Sequence, residues 1–216
     1  MIKKINQQPG FAIFVLLFTV ACIIGLFFTF IFSKTDLHAT LNTYHSGFFD
    51  LFFQGITLLG DGIFAVLLSI VFFFMRNRKE GVLLLITFII SALIAQFFKN
   101  FVFYDEMRPL FFIQAGELNV QTVEGIKMHM NHSFPSGHTT TIFAMCSMLS
   151  LFFKTKRMGL ILFLIAILTA YSRIYLSQHF LQDTLAGSFI GLTTSVLLYS
   201  VSNEKLRLNS NNSTEM

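Results

Sequence analysis

Residues 11–32 read FAIFVLLFTVACIIGLFFTFIF, 22 residues with no charge and no proline. A bilayer core is about 30 Å thick and takes about 20 apolar residues of α-helix, so this run has the length of one membrane crossing. The whole chain shares its character. Its 216 residues are 54% hydrophobic, with 29 Phe and no Trp, which exceeds what a soluble core of this size requires. Further apolar runs at 55–75, 81–103, 139–153, 158–176 and 183–201 bring the expected count to six transmembrane helices. The stretch FFDLFFQ (48–54) reads as a short interfacial helix ahead of the second span. The expected fold is therefore all-α, a six-helix transmembrane bundle.

Charge gives this bundle a direction, because short cytoplasmic loops carry the excess of Lys and Arg. With the amino terminus inside, the inner segments hold Lys3, Lys4, Arg76, Arg78, Lys79, Lys154, Lys156, Arg157, Lys205 and Arg207, ten of the 15 basic residues. Both termini are then expected in the cytoplasm, with the longest loop, 104–133, on the outer face. Short inner loops and the lack of eukaryotic targeting signals point to a bacterial plasma membrane.

Lys3 and Lys4 before an apolar run also describe a signal peptide, but this run is too long for one, and the expectation is an uncleaved helix. Cys22 and Cys146 both fall inside spans and read as packing residues rather than a disulfide or metal pair. The net charge of +4 is scattered over short loops, so no nucleic-acid partner is expected. The chain divides into a first helix and outer loop (1–46), a main membrane domain (47–202) and a polar tail (203–216).

Several polar residues fall together on the expected outer face. Lys99 and Arg108 bracket the end of the third span, Pro135-Ser136-Gly137-His138 opens the fourth, and Arg173, His179 and Asp183 lie between the fifth and sixth. Lys34, Lys127, His38 and His45 read as ordinary interfacial residues. Asp183 lies four positions after His179, so on a helix the carboxylate would hold one imidazole nitrogen and leave the other free as nucleophile or base. Gly137 permits close backbone approach, and the first turn of the fourth helix offers unpaired N–H groups to an anion, with Ser136 as its cap. Arg108 and Arg173 supply forked donors and Lys99 a compact charge. The anion these groups suit is phosphate.

In these motifs the chain resembles the type 2 phosphatidic acid phosphatase superfamily. Pro135-Ser136-Gly137-His138 matches that family's second motif unaltered, and Ser172-Arg173, His179 and Asp183 match its third. Lys99 and Arg108-Pro109 match the first with eight intervening residues where the family usually has six. The resemblance covers roughly residues 47–199. It implies a metal-free phosphatase acting on a membrane lipid at the outer face, with undecaprenyl diphosphate, phosphatidylglycerophosphate, phosphatidate and lipid A as candidate substrates. By the same resemblance His179 is the nucleophile, Asp183 its orienting carboxylate and His138 the general acid. Lys99, Arg108, Ser136, Gly137 and Arg173 would bind the phosphate. No cofactor is implied, and the six His include no HExxH pair or acidic cluster spaced for zinc or magnesium. Two other classes stay open: a lipid phosphotransferase using the same phosphohistidine, and a non-catalytic lipid-binding or transport protein.

Overall fold

The computed structural model describes residues 8–212, so the expectations on Lys3 and Lys4 lie outside it. Nine α-helices make up the described residues: α1 (Pro9–Ile31), α2 (Lys34–Leu41), α3 (Gly47–Ile56), α4 (Gly62–Met75), α5 (Arg78–Phe97), α6 (Pro109–Gln114), α7 (Gly137–Phe152), α8 (Lys156–Tyr175) and α9 (Leu181–Asn212). No strand is present among the described residues.

Four helical stretches are long and apolar enough to cross a membrane: Pro9–Ile31, Arg78–Val102, Lys156–Tyr175 and Leu181–Asn203. A fifth forms if Gly47–Gly60 and Gly62–Met75, which meet at 59°, count as one broken span. Their outer faces are apolar and uncovered. Phe30 is 87% exposed and Ile23 63%, with Leu67, Leu93 and Leu197 also exposed on other helices. A belt of this kind is stable against lipid and not against water, so the chain is a multi-pass membrane protein.

The expected second span, 55–75, is not one straight helix. It breaks at Asp61, whose carboxylate accepts from the Ile63 N–H and caps α4. Ahead of the break, Thr57–Gly60 forms a 3₁₀ turn. The helix at the expected fourth span, α7, is only 16 residues long and sits inside the bundle, against α1, α5, α8 and α9. Every residue from Thr139 to Leu151 is buried. Its polar members are satisfied internally: the Thr140 hydroxyl donates to the Ser136 carbonyl, that of Ser147 to Phe143 and that of Ser150 to Ser147. At Gly187 and Gly191, α9 comes so close that an added Cβ would overlap the backbone of α7 at Ser136 and Thr140. This close approach brings the start of α9, with Asp183, against the start of α7. Phe14, Phe143, Met145 and Leu84 fill the centre of the bundle. Cys22 and Cys146 are free, and Cys146 is buried there.

Candidate active site

The third motif is built on the end of α8. Leaving that helix, the chain turns through Ser177, whose φ of +49° lies in the left-handed region that commonly terminates helices. The turn folds back so that the Arg173 carbonyl accepts from both Gln178 N–H (2.9 Å) and His179 N–H (3.1 Å). Arg173 and His179 are thereby tied together through the backbone.

His179 is not helical, yet it pairs with Asp183 as the spacing predicts. Its Nδ1 is 3.3 Å from Asp183 Oδ2, and the two residues are 2% and 1% exposed. The same carboxylate oxygen accepts from the Phe180 N–H at 3.0 Å and from the Ser133 hydroxyl at 2.5 Å. Because Asp183 Oδ2 accepts, His179 Nδ1 carries the proton and Nε2 keeps its lone pair. Burial holds the imidazole well below the usual histidine range, and Arg108, Arg173, Lys99 and His138 push it the same way. The free base is the form that can attack phosphorus.

Two further segments complete the cluster. The helix α5 ends in a π turn, Phe98–Val102, closed by Phe103 N–H on the Phe98 carbonyl, and this turn carries the buried Lys99. The π turn and the short loop behind it form the connection from Lys99 to Arg108. The chain around Arg108 then pairs with the end of the long loop, Arg108 N–H on Met130 and Ser133 N–H on Glu106, which delivers Ser133 to Asp183. Arg108 spends three donors on carbonyls: Nε on Asn131, Nη2 on His132 and Nη1 on Gln178. Its own pKa is lowered by burial, with Asp183 acting against that. Arg173 is 7% exposed, gives Nη1 to Thr57 at 2.7 Å, and its Nε has no hydrogen-bond partner among the described residues. None of Lys99, Arg108 and Arg173 forms an ion pair there. Lys99 and Arg173 are buried and Arg108 is partly buried, and such a group of cations has unused donors for an anion.

The Pro-Ser-Gly-His motif opens α7, with Gly137 its first residue and His138 its second. Ser136 stands at the cap position, but its hydroxyl does not cap the helix; it accepts instead from the Thr139 hydroxyl at 3.0 Å. The Ser136 N–H donates to the Asp183 carbonyl at 3.0 Å, which locks the two motifs together. His138 lies against Gly60 of the 3₁₀ turn. Among the described residues no three His, Cys, Asp or Glu side chains cluster so as to hold a metal ion.

Some supporting residues carry no signal in the sequence. Ser133, Thr57 and Gly60 lie far along the chain from the groups they touch, and no local pattern marks them. His38 and His45, expected as ordinary surface residues, are instead buried beside the Ser177 turn. Lys34 does lie near the surface, 3.7 Å from Glu106.

The PAP2 superfamily model matches residues 80–207. Lipid A 4′-phosphatase of Porphyromonas gingivalis is 29% identical over 174 residues, 78% of this chain and 72% of that protein. Phosphatidylglycerophosphatase B of Bacillus subtilis is 30% identical over 151 residues, 64% of this chain and 68% of that one. The crystal structure of Aquifex aeolicus LpxE superposes with a TM-score of 0.67 at 27% identity, covering 79% of this chain and 97% of its own. The motif residues meet within the matched region, and the match spans more than half of the sequence. The chain is an enzyme that belongs to the PAP2 superfamily.

Proposed function

We propose that this enzyme is a lipid phosphatase that removes phosphate from a membrane lipid phosphate or diphosphate, without a metal, through a phosphohistidine on His179. The observation that carries the reading is a buried, carboxylate-held imidazole beside three cations that have no ion-pair partners among the described residues. His179 Nε2 attacks phosphorus while Asp183 accepts from Nδ1–H and stabilises the imidazolium that develops. His138 gives a proton to the departing lipid oxygen, then takes one from the water that attacks the phosphohistidine, and inorganic phosphate leaves. Lys99, Arg108, Arg173, the Ser136 hydroxyl and the Gly137 N–H hold the non-bridging oxygens, where charge gathers in the transition state.

The relatives support lipid A and phosphatidylglycerophosphate as candidate substrates, and the motif resemblance adds undecaprenyl diphosphate and phosphatidate. In the same reading the bundle crosses the membrane six times, α7 included, with α3 at the interface before the second crossing. Both termini are cytoplasmic, the phosphate site opens on the outer face of a bacterial plasma membrane, and the domain limits are 1–46, 47–202 and 203–216.

The test is phosphate release in detergent with EDTA across those four lipids, with His179→Ala beside the wild type. Release that persists in the chelator and vanishes in the variant is the expected result. Transfer of phosphate to a second lipid without free phosphate would make the enzyme a phosphotransferase, and loss of release in EDTA would overturn the metal-free mechanism.

A further inference from the structure

The outer loop between α1 and α3 carries a buried polar cluster that the phosphate chemistry does not use. Asn42, the C-terminal cap of α2, is 2% exposed and reaches the end of α8 from more than 130 residues away. Its side-chain Nδ2 donates to the carbonyls of Ile174 (2.8 Å) and Tyr175 (2.9 Å) and lies 3.3 Å from Ser177 Oγ. Both carbonyls lie in the last turn of a helix, and that of Ile174 also accepts from the Ser177 N–H at 2.9 Å, so the amide acts as an added cap supplied from another part of the chain. The Asn42 oxygen accepts from His45 Nε2 at 2.8 Å, which fixes the amide orientation. Behind it, Asp50 accepts from the Tyr175 hydroxyl and anchors α3 to the same turn.

Ser177 is the centre of this arrangement. It holds a left-handed conformation that a residue with a Cβ adopts at some cost, and it is 1% exposed. His38 Nε2 lies 3.2 Å from its hydroxyl, and the His38 ring packs edge-on against Phe180, with centroids 5.3 Å apart. The backbone that follows immediately supplies the two N–H groups on the Arg173 carbonyl, one of them from His179. A disturbance at Ser177 therefore moves the imidazole relative to the guanidinium.

We propose that Asn42 is a positioning residue for catalysis: by clamping the turn 174–177 it sets the His179 imidazole against the Arg173 guanidinium. The inference rests on the reading of His179 as nucleophile and Arg173 as phosphate ligand. Asn42 itself touches no reacting atom, and it lies outside the region matched by the family.

Two measurements on full-length protein in detergent test it. One is kcat and KM for phosphate release from the preferred lipid. The other is amide hydrogen exchange at Gln178 and His179, which reads the turn without any turnover. In Asn42→Ala, kcat falls by about 10- to 100-fold with KM within about twofold of wild type, as for a misplaced reacting group. Exchange at the two amides rises in the same variant. Thr40→Ala, an exposed site on the same helix, leaves both readouts unchanged. Should Asn42→Ala fail to fold, Ser177→Ala removes the hydroxyl that Asn42 and His38 share and must shift both readouts in the same direction by less.

A fall in kcat with unchanged exchange overturns the proposal. So does faster exchange with unchanged kcat, or a loss of activity that only follows the loss of folded protein. A wild type that releases phosphate from no lipid sinks the phosphatase reading instead; unchanged exchange would then still overturn the clamp, and faster exchange would uphold its structural half.

Discussion

Gly60→Ala tests whether the bent segment before α4 holds His138, the general acid of the proposed mechanism, in place. A Cβ at this position would stand 2.8 Å from the His138 carbonyl oxygen and 2.9 Å from His138 Cβ, where ordinary contact begins at 3.4 Å. Backbone or Cβ atoms must then part by about 0.6 Å, since neither neighbour is the loose end of a flexible side chain. The 3₁₀ turn is pinned on its other side by Thr57 on Arg173, so the shift falls on the first turn of α7, where Ser136, Gly137 and His138 lie. Overpacking of this kind costs about 1 to 3 kcal/mol of stability. Displacing a reacting group by about 1 Å costs about 100-fold in rate, so roughly 10- to 30-fold is expected in kcat here. Gly55→Ala is the matched control, because a Cβ there meets nothing within 4 Å. Phosphate release and thermal unfolding in detergent are measured on both variants. Equal kcat in the two, with the same Tm, would show that the turn does not position His138.

Three further outcomes follow from the same geometry. Arg173→Lys keeps the charge but loses the fork that reaches Thr57 while leaving Nε for phosphate; kcat/KM should fall by about 100- to 1000-fold, and a loss below tenfold would remove Arg173 from the phosphate cradle. Ser133→Ala withdraws a donor from the buried Asp183 carboxylate and should cost about 1 to 3 kcal/mol of stability, read as a lower Tm; an unchanged Tm would mean that the hydroxyl does not support the carboxylate. Burial lowers His38 from 6.5 to about 4, so the unfolded chain binds its proton first as pH falls. Stability from this residue is intact above about pH 6.5 and declines toward pH 4, by about 2 kcal/mol at pH 5. His179 adds to the decline in the same direction, so the check is that Tm drops less between pH 7 and pH 5 in His38→Gln than in the wild type.

How much of this was legible in the sequence depends on whether a feature is local. The runs at 11–32, 81–103 and 158–176 are legible because a helix that faces lipid must be apolar over its whole length, and each corresponds to a long helix here. The helix α7 is harder to read as a span for the opposite reason. It faces protein on every side, so Thr139, Thr140, Thr141, Ser147 and Ser150 are tolerated inside it and its apolar run shortens. The eight motif residues stood out because phosphate chemistry demands particular side chains. The residues that aim them did not, since a threonine on a guanidinium or an asparagine on a helix end has no local signature. Their partners lie 116 and 132 residues away, in contacts that only the folded bundle creates.

The charge balance explains why the outlying residues matter to the chemistry. Lys99, Arg108 and Arg173 converge on His179, and the one carboxylate among the motif residues, Asp183, is already committed to three donors. Like charges gathered in a site shielded from water repel one another, so each must be held by something that does not neutralise it. Backbone carbonyls do this for Arg108, and the Thr57 hydroxyl does it for Arg173. Neutral dipoles fix the direction of a guanidinium and leave its charge available, where an aspartate in their place would compete with the phosphate. By the same logic the turn carrying His179 is clamped by the neutral amide of Asn42. The loop between α1 and α3 and the bent segment 47–75, both outside the matched region 80–207, thus hold a cation-rich site without discharging it, which is the condition that the proposed phosphoryl transfer needs.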